Sequence, residues 1–326
     1  MYRILILISF ISFSAAAQDQ LLKIIMLDEV EIFQDKDSFS VEDFIFYVKN
    51  DTTFYKGFKH LRYYPHFYKS ELKIFDKKKN MIANLDRSGT HFVKNNRAWV
   101  EDEFTSFSGK VYTNKIMRMM RKNTDTSSSV YAQINKLKGK YKYYTPEAFD
   151  KVFFPYDGLS VSIDIGSDNA SEDKDVRDAK KIGFSIGTSD TEQSKGGVSK
   201  KLAIFDESMQ KYYNYRIGLT NYKGTDCYTF SCIVKESLSE KELGKTLIRK
   251  IISYFDKDNF NVLYREYVFS YRHLLIDLDM QVIVYFGYEN GITVPKNIYY
   301  KGFWNVPFYK AERAEFNLEL TDYQIP

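Results

Sequence analysis

The sequence predicts an α+β protein: one strongly curved, mostly antiparallel sheet, a half-barrel, with a few helices on its concave side. Three observations carry this expectation. The 326 residues include 27 Tyr and 26 Phe but only 6 Pro, and aromatic side chains suit pleated, half-buried surfaces. From residue 202 onward, segments of period-two alternation follow one another almost without a break. Short clusters of Gly, Asn, Asp and Lys separate several of them, as hairpin turns would.

The chain opens with "MYRILILISFISFSAAAQDQ", which reads as a secretory leader. Arg3 supplies the positive end, residues 4–13 are apolar except Ser9 and Ser12, and Ala15, Ala16 and Ala17 form a small-residue cleavage site. The apolar run is about ten residues, whereas a membrane span needs about twenty. The expected organisation is a signal peptide over 1–17 and a single exported domain over 18–326. Its expected place is the periplasm or the periphery of an outer membrane. "LLKIIMLDEVEI" alternates as a strand. Ser40 and Asp43 resemble a capping box, after which Val41, Phe44, Ile45 and Val48 share a helical face. "HLRYYPH" reads as an aromatic strand or turn. "ELKIFDKKKNMIANLD" reads as a hairpin closed by "DKKKN", and "THFVKNNRAWVEDEF" as further strand.

An irregular helical and loop insertion follows around 115–200. "NKIMRMMRKN" has the spacing of an amphipathic helix packed on the sheet. "TPEAFDKVFF" is a helix with Thr145 as N-cap and Pro146 in its first position. "GTSDTEQSKGGVSK" has no periodicity and reads as a long loop. The expected strands of the final meander are "KLAIFD", "YYNYRIGLTNY", "DCYTFSCIVK", "NFNVLYREYVFSYR", "LIDLDMQVIVYF", "KNIYYKGFW" and "YKAERAEFNLELTD". Residues 240–256 conflict. Leu243, Leu247, Ile248, Ile251, Ile252 and Phe255 have helical spacing behind a Ser239/Glu242 capping box, yet "SYFDKDNFNVLY" argues for strand in the second half.

Charge and cysteine content narrow the function classes. The formal charge of +4 falls to +3 without Arg3, with acidic and basic residues interspersed. This is a solvated surface and not the clustered basic footprint of a nucleic-acid binder. Cys227 and Cys232 are the only cysteines. Five residues of strand would hold them roughly 16 Å apart, beyond the limit of about 7 Å for a disulfide. Two free, buried thiols are expected.

Catalytic motifs are weak. "GFSIG" matches the spacing of a nucleophile elbow around Ser185, but charged "DVRDAKK" precedes it and a polar loop follows, where a strand and a helix are needed. Asp277 and Asp279 share a strand face about 6.7 Å apart. They read as partners in cross-strand ion pairs with Arg265, Arg272 or His273, and not as an acid–base pair. His60, His66, His91 and His273 lack metal-ligand spacing. No catalytic residue, cofactor or metal is expected. The clearest candidate site is apolar: Ile276, Leu278, Met280, Val282, Val284 and Phe286 occupy one face of a single strand. Such a face serves either a packed core or a groove that holds a ligand.

"YYNYRIGLTNYKGTDCYTFSCIVK", "SYFDKDNFNVLYREYVFSY", "LIDLDMQVIVYF" and "GITVPKNIYYKGFW" together resemble the strand order of Lol-type lipoprotein-carrier half-barrels. Asp226, Cys227, Tyr228, Asp256, Arg265 and Pro295 match that pattern, over roughly residues 202–322. "DTTFYKGFKHLRYY" and "YREYVFSY" also resemble an uncharacterised family of exported Bacteroidota proteins. The carrier resemblance implies a non-enzymatic protein that binds a lipid or lipoprotein acyl chain on its concave apolar face. The insertion around 115–200 departs from the carriers. The alternative is a structural or assembly protein of the cell envelope, with a protein partner and no small ligand.

Overall fold

The computed structural model describes residues 53–122, 128–161, 204–273, 276–305 and 310–326. The leader, the strand and helix expected before residue 53, Ser185 and the loop at 187–200 all lie outside the described residues.

The described residues form one open, curled sheet of eleven strands with a few helices, and every neighbouring pair is antiparallel. Helix α1 (Thr53–Tyr63) leads into β1 (His66–Phe75), β2 (Met81–Lys94) and β3 (Arg97–Gly109). Helices α2 (Asn114–Lys122), α3 (Ser128–Asn135) and α4 (Tyr144–Phe153) and the two-residue β4 (Leu159–Ser160) follow. After the short α5 (Glu207–Gln210) come β5 (Tyr213–Tyr222), β6 (Thr225–Val234), the four-residue α6 (Glu240–Leu243) and β7 (Ile248–Asp256). The chain ends with β8 (Val262–His273), β9 (Ile276–Glu289), β10 (Ile292–Asn305) and β11 (Glu312–Thr321). The order across the sheet is β4-β3-β2-β1-β11-β10-β9-β8-β7-β6-β5.

Local chemistry explains the meander. Three hairpins turn on two residues that both have positive φ: Asn95-Asn96 (51° and 60°), Lys223-Gly224 (53° and 88°) and Asn290-Gly291 (49° and 78°). Such turns match the right-handed twist of the strands they join, and Asn and Gly tolerate the left-handed backbone best. "DKKKN" closes the β1–β2 hairpin, where the Asp76 side chain accepts bonds from the backbone of Lys78 and Asn80. Pro295 lies inside β10, beside a register shift between Pro295 and Asn297. A bulge is where a strand tolerates a residue without an N–H.

Four segments differ from expectation. "HLRYYPH" is divided: His60–Tyr63 close α1, and β1 starts at His66 after Pro65. Phe54, Phe58 and Leu61 recur at helical spacing there, and local aromatic content obscured that period. Of "KLAIFD", only residues 204–206 are described; they form a turn leading into α5 and not a strand, with Ile204 and Phe205 buried. The conflict at 240–256 resolves into both answers: the Ser239/Glu242 capping box forms, but α6 stops at Leu243 and β7 takes over at Ile248. Thr145 is not an N-cap. It lies inside α4, whose cap residue Tyr143 makes no side-chain capping hydrogen bond. Instead the Glu312 carboxylate, from β11, accepts from the Thr145 N–H (2.8 Å), the Thr145 Oγ1 (2.5 Å) and the Tyr144 N–H (3.2 Å). A buried acid on a distant strand does the work of the cap.

Candidate functional site: the covered inner face of the sheet

Alternation along β9 places Leu278, Met280, Val282, Val284 and Phe286 on the inner face; the side chain of Ile276 lies outside the described residues. Pairing supplies their neighbours. Val282 lies between Tyr267 of β8 and Tyr300 of β10, and Met280 between Phe269 and Gly302. The Tyr300 ring folds back over Gly302, where a Cβ would meet the Tyr300 hydroxyl at 1.9 Å. The Trp304 Nε1–H donates to that hydroxyl. An aromatic side chain thus fills the slot that glycine leaves beside Met280.

Two helices cover this face. α1 lies over the far end of β9, where the Phe54 and Phe58 rings approach Phe286 at 5.5 and 6.1 Å. Gly57 permits the approach, because a Cβ there would come within 2.6 Å of the Phe286 ring. Both ends of α1 are pinned: the Val262 N–H donates to Thr53 Oγ1 (3.2 Å), and His60 Nδ1 bonds the Thr293 carbonyl (2.6 Å). α4 covers β10 and β11, with Phe149 on Tyr300 (4.9 Å) and Phe316 (4.5 Å), and Tyr144 on Trp304 (4.8 Å). Val284 is 0% exposed, and Met280 and Val282 are 8% exposed. The described candidate residues are therefore buried in the structure as it stands. Where the two helices meet, a cavity of ≈ 30 Å³ remains between Phe58 and Leu61 of α1, Phe153 of α4, and Leu318 and Leu320 of β11.

The inner face also holds polar groups that sequence reasoning missed. Asp150 of α4 bonds Arg87 of β2 (2.8 Å), Lys140 (2.7 Å) and the Tyr141 hydroxyl (2.8 Å). Arg87 also donates to Tyr156 (2.7 Å), which donates to Asp102 (3.0 Å), and Tyr68 donates to Asp102 as well. Burial opposes the Asp150 charge, but Arg87 and Lys140 outweigh it and hold the carboxyl below the ordinary carboxylate range. Beside the small cavity, His66 and His91 stack at 4.6 Å. Burial holds them at about 4 and about 3, so both are neutral at pH 7. The signal for these groups was the phase of β2: Arg87 and His91 fall in step with the buried Ala83 and Leu85.

The other sequence candidates are placed plainly. Asp277 and Asp279 lie on the outer face, 3.7 and 3.8 Å from the Arg272 guanidinium, in exposed cross-strand pairs. Cys227 and Cys232 are free and buried on opposite faces of β6, and burial pushes both thiols up. Asp256, one of the residues of the carrier pattern, receives the Asp258 N–H in the β7–β8 turn (2.8 Å). Arg265, another, lies over the Phe54 ring (4.1 Å) and donates to Ser253 (2.9 Å). Among the described residues, no helix is long and apolar enough to cross a membrane.

No family model matches the chain, and no curated protein matches it. Among solved structures, the chain is similar to a putative outer membrane lipoprotein-sorting protein domain from Vibrio parahaemolyticus. The identity is 10%, with 85% of this chain and 92% of that one covered, at a TM-score of 0.27. It is also similar to a DUF1329 family protein from Desulfovibrio piger. There the identity is 11%, with 87% and 90% covered, at a TM-score of 0.22. Superpositions this loose carry no argument about ligand or activity.

Proposed function

We propose that the chain is a non-enzymatic protein of the cell envelope that takes up a lipid or lipoprotein acyl chain between the inner face of its sheet and helices α1 and α4. The ligand-contacting residues in this reading are Ile276, Leu278, Met280, Val282, Val284 and Phe286. The observation that carries it is the cover itself. An apolar face that runs from β6 to β2 is closed by short helices that meet imperfectly, leaving the ≈ 30 Å³ cavity between them. That volume holds about one water, so entry of an acyl chain requires α1 and α4 to separate.

The test is Val282→Arg, followed in parallel by thermal melting and by displacement of a fluorescent fatty acid. The reading expects wild-type protein to bind the probe and a folded Val282→Arg variant to lose it. Where the variant unfolds, Met280→Trp keeps the site apolar but fills it, and is expected to stay folded with weaker binding. A folded variant with wild-type binding refutes the site. Lipid extraction of the native protein followed by mass spectrometry is expected to yield acyl lipid.

A second reading, an envelope assembly protein without a small ligand, has one observation in its favour. Tyr254, Tyr264 and Tyr285 pack side by side across β7, β8 and β9 on the outer face, at 4.8 and 5.4 Å, with Tyr222 against the first two. Protein that carries no lipid but captures one specific envelope partner through these tyrosines would favour it.

A further inference from the structure

A second hollow draws its main row of side chains from the outer face of the sheet, and Phe269, Met280, Gly302 and Ala314 of the inner row also border it. It is an open cleft of ≈ 660 Å³ over β1, β11, β10, β9 and β8. This lies within the range of about 300–1,000 Å³ typical of small-molecule sites. Pairing explains its make-up. Phe75, Arg313, Phe303, Asp279 and Ser270 are consecutive cross-strand neighbours, and each is offset by one residue from a neighbour on the inner face. The row thus sets a guanidinium between two phenyl rings, with Arg313 5.0 Å from the Phe303 ring centre. Val268 adds a third apolar wall.

The charge of the cleft is unbalanced. Lys79, Arg249, Lys301 and Arg313 line it against only Asp279 and Glu315. Both acids are already matched, Glu315 by Lys301 at 2.8 Å and Asp279 by Arg272 at 3.8 Å. Arg249 is tied by Nη1 to the Leu243 carbonyl (3.1 Å) and Thr246 Oγ1 (2.5 Å), neither of which is charged. Arg313 and Lys79 have no acidic partner within 4 Å among the described residues.

We propose that this cleft is a second binding site, for a single-chain anionic amphiphile whose phosphate or carboxylate head meets Arg313 and Lys79 and whose alkyl stem lies on Phe75, Phe303 and Val268. A guanidinium presents paired donors to either head group, and its stacking on Phe303 fixes the plane of those donors. The aromatic walls give an alkyl chain a surface that a free inorganic anion cannot use. The cleft is distinct from the cavity between α1 and α4, because the two share no lining residue, although Met280 borders the cleft as well as the inner face.

Dodecyl phosphate, kept below its micelle concentration, tests the site by calorimetric titration. Inorganic phosphate serves as the head-only arm and dodecanol as the tail-only arm. The expected result is saturable binding of dodecyl phosphate at one site, at least tenfold weaker in Arg313→Gln and in Phe303→Ala, and weaker at higher salt. Arg313 is exposed, so Arg313→Gln is expected to melt as the wild type does. It is also expected to leave displacement of an uncharged fluorescent acyl probe unchanged, which separates this cleft from the inner face. Equal affinity for inorganic phosphate would make the cleft a simple anion site and overturn the proposal. Dodecyl phosphate binding that survives both substitutions, or no binding in the wild type, would overturn it too.

Discussion

Acidification from pH 7 to pH 5 is expected to destabilise this protein through His66 and His91. In the unfolded chain each titrates near 6.5, whereas burial holds them at about 4 and about 3 in the fold, and His66 depresses His91 further. Between those values and 6.5 the unfolded state carries protons that the folded state refuses, so stability falls as pH falls through 6.5. With these values, each histidine contributes a loss of about 2 kcal/mol at pH 5, and the pair about 4 kcal/mol. This is a large part of a typical total stability of about 5–15 kcal/mol. Solvent screening does not reduce the effect much, since the side chains are only 5% and 2% exposed. Glu312 works in the opposite sense. Burial raises its pKa, so the folded state takes up that proton first and gains stability as pH falls. His91→Phe isolates the histidine effect, because it keeps a ring on His66 and removes one titrating group. Urea denaturation at pH 7, 6 and 5 is expected to show the wild type losing about 4 kcal/mol and the variant about 2. Equal losses in the two proteins, or a wild-type loss below about 1 kcal/mol, would refute the reasoning.

Asp150→Ala strands Arg87 and Lys140, whose side chains are 2% and 4% exposed, and should cost about 3–5 kcal/mol. The Asp150 carboxyl is depressed in the fold, so its contribution is present above pH 3.8 and fades as pH drops through its lower folded value. The variant should lack that acid-side decline in melting temperature. Glu312→Ala removes the three bonds by which its carboxylate caps the start of α4, and a loss of about 2–4 kcal/mol is expected by chemical denaturation. Gly57→Ala gains up to about 1 kcal/mol of helix propensity but drives a methyl into Phe286. Overpacking of about 1–3 kcal/mol should win, and Phe286→Leu should restore the melting temperature.

The meander was legible because its information is local. Alternation gave the strands from Tyr213 onward except β7, whose apolar residues also have helical spacing, and "NG" and "KG" gave two of the hairpin turns. The helical segment of residues 53–63 was harder. Its apolar face is three residues wide, and the aromatic "HLRYYPH" overlaps its end. The core-or-groove ambiguity of β9 could not be settled by periodicity, since a face of Leu278, Met280 and Val282 looks the same under a helix or under a ligand. What covers it, α1 and α4, arrives from 215 or more and 125 or more residues away from Leu278 in sequence. The buried Arg87–Asp150 pair escaped for the same reason. An arginine in an alternating strand reads as solvent-facing until the helix that brings its carboxylate, 63 residues later, is in place.

Of the described strands, the one farthest along the chain lies inside the sheet. β11 has four strands on one side and six on the other, and its pairing with β1 joins Phe67 to Thr321. Until β11 is in place, the seam between the two blocks of strands therefore stays open. The two blocks of strands can form early as local meanders, each with a bare edge of unpaired backbone. Contacts so distant in sequence form slowly, and a long unpaired edge invites pairing with another chain. A chain that ends just before Glu312 should thus be aggregation-prone in a way that its small loss of mass does not suggest. Quality control of this fold would turn on whether β11 has paired with both β1 and β10.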